Sequence, residues 1–293
     1  MRRLLVVLAL LLAPAAAWAK PPVWTVHGKG ATVVLFGSVH ILPRDIDWEP
    51  DALKTALAGA DELWFETPTD PATLLDASRQ ALALGLLPAD QSLSALLSDS
   101  GQERLRTAAE ELHIPWPQLE RLRPWLAELT VGDAAYAREG ATADQGVERQ
   151  LADAAPSAVR RNFETPAQQI ALFAGAPLAD QVASLEDTLK ELQDDPGQAN
   201  RLIDAWLASD LAGIDREGVE QMKADSPALF KMILTDRNAA WMRVLLRRLD
   251  APPSHRGRRD RVVVVVGVGH LIGQGGLPAM LRAQGFRVDG PKE

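Results

Sequence analysis

Two apolar, β-branched runs near opposite ends of the chain each finish in the same pattern, Gly-x-x-His, and a single sheet that accepts both is the fold they ask for. The first run, residues 31–36 (ATVVLF), leads into GSVH, with Gly37 and His40; the second, the five valines 262–266, leads into GVGH, with Gly267 and His270. Sites in α/β proteins form at the C-terminal ends of strands. A glycine there lets the backbone turn so that a following side chain faces the crevice. Two neutral imidazoles delivered this way could share one site, as metal ligands or proton carriers. The competing reading is a pair of histidines satisfied structurally at their strand ends.

The remaining punctuation assembles an α/β protein. Residues 23–26 and 32–36 flank the turn HGKG and read as a β-hairpin. Residues 51–60 have helical periodicity, and the short buried strand 62–65 (ELWF) ends at Glu66. Pro68 and Pro71 stop that strand and open a helix at Ala72. Residues 158–163 (AVRRNF) form a weaker strand running into Glu164, and 286–288 form a last one after a helix over 277–284. Apolar residues at helical spacing mark 72–84, 102–112, 118–129, 179–192, 199–209 and 228–249. The expectation is one α/β domain over residues 20–293, a central mixed sheet built from N- and C-terminal segments. A large, mainly helical middle region covers it, with an insertion at roughly 72–157.

The termini and the charge narrow the class. Residues 1–19 carry a basic start, a short apolar run and Ala17-Trp18-Ala19, which reads as a secretory signal peptide. The apolar run is shorter than the ~20 residues a membrane span needs. The expectation is a periplasmic or secreted protein without a stable membrane anchor after cleavage. There is no cysteine, which removes a lipid-modified cysteine, disulfides, thiolate ligands and a cysteine nucleophile together. The formal charge is −8, and removing Arg2 and Arg3 with the signal leaves −10, so nucleic acid is excluded as the expected partner.

If the four strand ends converge, they bring His40, Glu66, Glu164 and His270 together. Two imidazoles with one or two carboxylates make a first shell for a divalent transition metal, and a carboxylate not bound to metal could take a proton from bound water. Either glutamate could instead cap the next helix or pair with an arginine. Arg237 and Asn238 lie on a long helix beside Trp241. An arginine turned inward there would orient a glutamate or hold an oxyanion, and one turned outward would be a surface charge. His27, His113 and His255 read as solvated. No G-x-S-x-G, H-E-x-x-H or P-loop is present, and GVGHLIGQGG lacks dinucleotide-fingerprint spacing.

GSVHILP (37–43), LWFE (63–66), GVERQL (146–151), FETPAQQ (163–169), TDRNAAWM (235–242) and VGVGHLIGQGGLPAMLRAQGF (266–286) together resemble the TraB/GumN family, which is related to the animal Tiki proteins. The resemblance implies a metal-dependent, peptidase-like hydrolase using manganese or cobalt, with zinc also possible. It implies His40, His270 and Glu66 as ligands, Glu66, Glu164 and Arg237 as catalytic groups, and Gly37, Gly267 and Asn238 in support. The substrate would be a peptide or small molecule. The chain departs from the family pattern at Glu148, where an aspartate is usual, and at Gln168, where an acidic residue is common. The alternative is a non-catalytic binder: a haem protein like the related ChaN proteins, for which the lone Tyr136 is a poor candidate ligand, or an accessory protein of exopolysaccharide production.

Overall fold

The computed structural model describes residues 20–254 and 257–292. The expected signal peptide and the placing of His255 in a loop lie outside the described residues. Among the described residues eight strands form: β1 Val23–His27, β2 Ala31–Ser38, β3 Leu42–Pro43, β4 Glu62–Phe65, β5 Ala141–Thr142, β6 Val159–Asn162, β7 Asp260–Gly267 and β8 Arg287–Asp289. Six of them form one sheet in the order β6-β4-β7-β2-β1-β8. The β6, β4, β7 and β2 strands are mutually parallel, whereas β1 runs antiparallel to both β2 and β8. The sheet is therefore mixed, and its central strand is supplied by the far end of the chain.

Burial explains the composition of each strand. Parallel strands covered on both faces read as continuous apolar runs, and Val262 to Val266 of β7 are all buried. The hairpin strand β1 alternates between buried and half-buried positions. At the other edge all four residues of β6 are exposed, with Arg160 and Arg161 guarding the open edge against further pairing. A second, separate core lies among the helices. Leu93, Leu105, Leu119 and Val131 there meet Leu185 and Leu189, which come from beyond β6 in the chain. The helical layer is thus one packed body drawn from both sides of that strand.

Two helices expected as continuous are not. The stretch 118–129 is broken: a short helix Trp116–Leu119 ends, Leu122 bridges to Leu86, and a new helix Pro124–Arg138 begins. Pro124 lacks the N–H that a continuing helix needs but suits a first-turn position. The stretch 228–249 resolves into a turn Pro227–Phe230, a π-helical turn Lys231–Thr235 and the helix Asp236–Asp250.

The helix Asp236–Asp250 lies against the sheet and is clipped to it near its C-terminal end. Arg248 donates to Glu62 at the start of β4 (3.0 Å) and to Asp260 at the start of β7 (2.6 Å). Both carboxylates are buried. Removing one member of such a buried network leaves the others uncompensated. Arg248→Ala should therefore lower stability by about 3 kcal/mol, read as an earlier midpoint in urea unfolding at unchanged m-value; a loss below about 1 kcal/mol would show that the clip behaves as a surface pair.

Candidate active site

The C-terminal ends of β2, β7, β4 and β6 open on one side of the sheet, and the side chains that follow them meet. Glu66 follows β4 directly and is buried. One of its oxygens accepts the Gly267 backbone N–H at 2.7 Å. The other accepts from Arg237 Nη2 and from Gln169 Nε2, the latter at 3.1 Å. Glu164 follows β6 and accepts from Arg237 Nε at 3.0 Å and from Trp241 Nε1 at 2.8 Å. Arg237 completes its fork with Nη1, which donates to the Ile233 carbonyl at 3.2 Å and lies 3.1 Å from His270 Nε2. Every nitrogen of this guanidinium is held within the protein.

His270 sits on the 3-10 turn Val268–Leu271 just after β7 and is 3% exposed. Asn238 fixes its tautomer. The Asn238 amide nitrogen donates to the carbonyls of Gly275 (2.9 Å) and His270 (3.3 Å), which turns its oxygen toward His270 Nδ1 at 2.7 Å. Nδ1 therefore carries the proton, and the Nε2 lone pair faces Arg237. Burial, with smaller contributions from Arg237 and His40 against an opposing one from Glu66, lowers the imidazole pKa to about 3, so the ring is neutral. Trp241 packs against it at a ring separation of 4.3 Å and also lies under the guanidinium.

His40 is the exposed partner. Its side chain is 62% exposed, and its Nδ1 lies 2.8 Å from Glu148, whose carboxylate also accepts from the buried Ser38 hydroxyl. Glu148 first and Glu66 less strongly raise the imidazole against its desolvation, to about 9. Burial pushes Glu66 upward, but Arg237, His40 and the Gly267 N–H outweigh it and hold its carboxyl below the usual carboxylate range. Because His270 is neutral, Arg237 and His40 carry the positive charge facing Glu66.

The two glycines of the paired pattern are explained by close approach. A Cβ on Gly37 would lie 2.8 Å from Val268 Cγ2 and 3.0 Å from its Cα, where the second histidine turn crosses the first. A Cβ on Gly267 would sit 3.2 Å from His40 Nε2 and 3.3 Å from Glu66 Oε1, inside the site itself. His40 Nε2 and Glu66 thus flank the same point.

All the strand-end residues expected from the sequence arrive together, with Glu66 between the two histidines. Three partners were not foreseen. Glu148 is held by the β3–β5 ribbon and by the Val147 N–H, which donates to the Val39 carbonyl at 3.1 Å; its only sequence signal was the departure from an expected aspartate, which keeps a carboxylate in place. Ser38 lies inside the first Gly-x-x-His and Gln169 closes FETPAQQ, and neither gave a signal beyond that. At Gln168 the departure keeps a local role: with Thr165 it forms a capping box, a position open to Gln as well as Glu. His27, expected to be solvated, instead pairs with Asp289 of β8 at 2.7 Å, while His113 is exposed as expected.

A divalent ion on His40, His270 and Glu66 is what the family resemblance implies, and these residues as arranged do not fit one. Among the described residues no group of three His, Cys, Asp or Glu side chains is placed to hold a metal ion. The Nε2 lone pair that would bind it faces the Arg237 guanidinium at 3.1 Å. A metal would have to displace that arginine.

A mixed α/β sheet whose two Gly-x-x-His turns close over a buried Arg–carboxylate cluster defines the class. The chain belongs to the TraB/PrgY/gumN family, whose model matches residues 22–290. It is 28% identical over 251 residues to the uncharacterized protein YbaP of Escherichia coli (strain K12), covering 85% of this chain and 87% of that protein. The YbaP of Shigella flexneri matches to the same extent, 28% over 251 residues. No solved structure matches.

The opposite environments of the two histidines can be checked by titration of the imidazole resonances in NMR. His40 should lose its proton near pH 9 and His270 should stay neutral down to about pH 3. Glu148→Gln should bring His40 down toward the ordinary 6.5, since the removed carboxylate is the largest cause raising it; an unmoved His40 would show that Glu148 does not control it.

Proposed function

We propose that this chain is a hydrolase acting at an amide or ester carbonyl, in which His40 carries the proton. One observation supports the reading above the others: the His40 imidazole has one nitrogen gripped by the Glu148 carboxylate and the other facing the cleft beside Glu66. A carboxylate that orients an imidazole and steadies its positive charge is the arrangement general acid–base catalysis needs. In its neutral form His40 would take a proton from attacking water, and as imidazolium it would return that proton to the leaving amine or alkoxide. Glu66, kept ionised, lies opposite and favours the imidazolium as it forms. Arg237, Glu164 and Asn238 hold Glu66 and His270 in register.

No step is routed through a metal. Hydrolysis should persist after treatment with a chelator and show no requirement for added ions; loss with the chelator and recovery on adding Mn, Co or Zn would overturn this route. The reading carries a periplasmic or secreted place of work, which rests on the signal-like residues 1–19.

Because the neutral imidazole is the working form, kcat/KM on a panel of peptides and esters should rise with pH toward about 9, the value to which Glu148 chiefly lifts His40. His40→Gln should lower kcat by about 10²-fold or more, the usual size of a lost acid–base group, without comparable loss of stability at this exposed position. Glu66→Gln should reduce kcat while leaving the fold intact. Sustained absence of turnover in the wild type across the panel, with or without metal, would favour a binding protein.

A further inference from the structure

A surface helix ordinarily turns its bulky apolar residues inward, and the helix Pro71–Gly85 does the reverse. The side it lays on the protein carries small residues. Thr73, Ala77 and Ala81 are half-buried, and Gly85 is the one residue of the helix that is buried outright. A Cβ on Gly85 would lie 2.3 Å from Leu126 Cδ2, so the helix sits close against Pro124–Arg138. Its leucines are left to solvent. Leu74, Leu75, Leu82 and Leu84, with Leu86 just beyond the helix, are each 45% or more exposed. Among the described residues eight large apolar side chains are exposed, and these are five of them. Such a concentration marks a surface that something covers.

The face is self-complementary. Leu74, Ser78 and Leu82 recur every fourth residue and Leu75 precedes Leu82 by two turns, so the four share one side of the helix. The Ser78 hydroxyl is already satisfied, donating to the Leu74 carbonyl at 3.0 Å, so covering it strands no polar group. The only charges on the helix are Asp76 and Arg79, 3.2 Å apart on one flank of this face. In a twofold contact residue i meets j and j meets i. Two antiparallel copies centred on Ser78 therefore bring Leu75 of each against Leu82 of the other, with Leu74 alongside. The same flank of both helices then lies side by side, and Arg79 of each reaches toward Asp76 of the other. In a parallel pair the flanks alternate and these charges part.

We infer that two copies of this chain meet on the helix Pro71–Gly85, as an antiparallel pair about a twofold axis beside Ser78. A lipid surface fits less well. Interfacial helices carry several lysines and arginines on the polar side, and this one has a single arginine, held by Asp76. Its 15 residues make a face about 22 Å long and about 10 Å wide. That falls well short of the ~800 Å² per partner of a standard interface, so the dimer is a weak one, with Kd in the micromolar range. Leu74 also lines the cavity that His40 and Glu66 line, which places the contact at the rim of the cleft.

Sedimentation velocity of the purified chain should show a reversible dimer that fills in as the protein is raised to roughly 100 µM. Leu75→Glu and Leu82→Glu should each weaken it about tenfold or more, with melting temperatures unchanged because both positions are exposed. The chain has no cysteine, so introduced thiols report the pairing without interference. With oxidised glutathione, Ser78→Cys should form a disulfide dimer, since that position faces its own copy, and Gln80→Cys, on the far side of the helix, should not. Leu75→Cys alone should stay uncoupled but join Leu82→Cys when the two are mixed, which a parallel pair would not do. A wild type that stays monomeric at the highest concentration would overturn the proposal. So would a dimer indifferent to both glutamate variants, or equal cross-linking through positions 78 and 80. Flotation of a monomeric wild type with phosphatidylcholine vesicles, lost in Leu82→Glu, would overturn it in favour of lipid.

Discussion

The buried guanidinium of Arg237 is the interaction on which the rest of the site depends. Two carboxylates, Glu66 and Glu164, converge on Arg237 at neighbouring strand ends, and the buried Glu66 could not stay ionised there without cations beside it. Arginine suits the position because its planar fork reaches several acceptors at once and does not lose its proton. By holding both glutamates and facing His270 Nε2, it converts three separate strand ends into one rigid wall. His40 is left on the opposite, solvated side with its own carboxylate. The division into a fixed wall and an exposed imidazole is the chemical logic of the cleft.

The same helix performs a related task at the far end of the sheet. Arg237 and Arg248 stand about three turns apart on Asp236–Asp250. One grips the carboxylates that follow β4 and β6; the other grips those that begin β4 and β7. The helix therefore spans the strands like a brace fastened at both ends, with Trp241, Leu245 and Leu249 filling the space beneath it. A site held this way is fixed in position by the same contacts that stabilise the fold, which is why substitutions at Arg237 will be hard to separate from effects on folding.

Much of this was legible in the sequence because burial and backbone geometry leave local marks. The five valines of β7, the HGKG turn between β1 and β2 and the glycines before each histidine gave the strands and the direction of the site. Glu66 was visible as the first polar residue after an apolar strand, and Glu164 only as the end of the weaker strand 158–163. What stayed hidden depends on partners distant in the chain. The pairing of Glu148 with His40 follows from a two-residue ribbon between β3 and β5 and one backbone hydrogen bond, neither of which leaves a periodic trace. The break before Pro124 lay inside an unbroken helical pattern, and the role of His27 required knowing that β8 would lie beside β1. The charged states of the two histidines were equally out of reach, since they follow from burial and neighbours rather than from residue type.

The order of the strands has a consequence for how this molecule is made. The centre of the sheet, β7, is supplied by the final segment of the chain, while its neighbours β2 and β4 are synthesised near the beginning. Until that segment emerges, two strands with buried apolar residues have a missing partner between them, and closing so long a loop is slow. The growing chain must therefore spend most of its synthesis with an open, sticky sheet, a state that favours engagement by a holding chaperone. It also means that His270 and the Gly267 N–H join the cleft last. A chain cut short between Arg237 and β7 would carry Glu66, Glu164 and Arg237 yet lack the strand that aligns them.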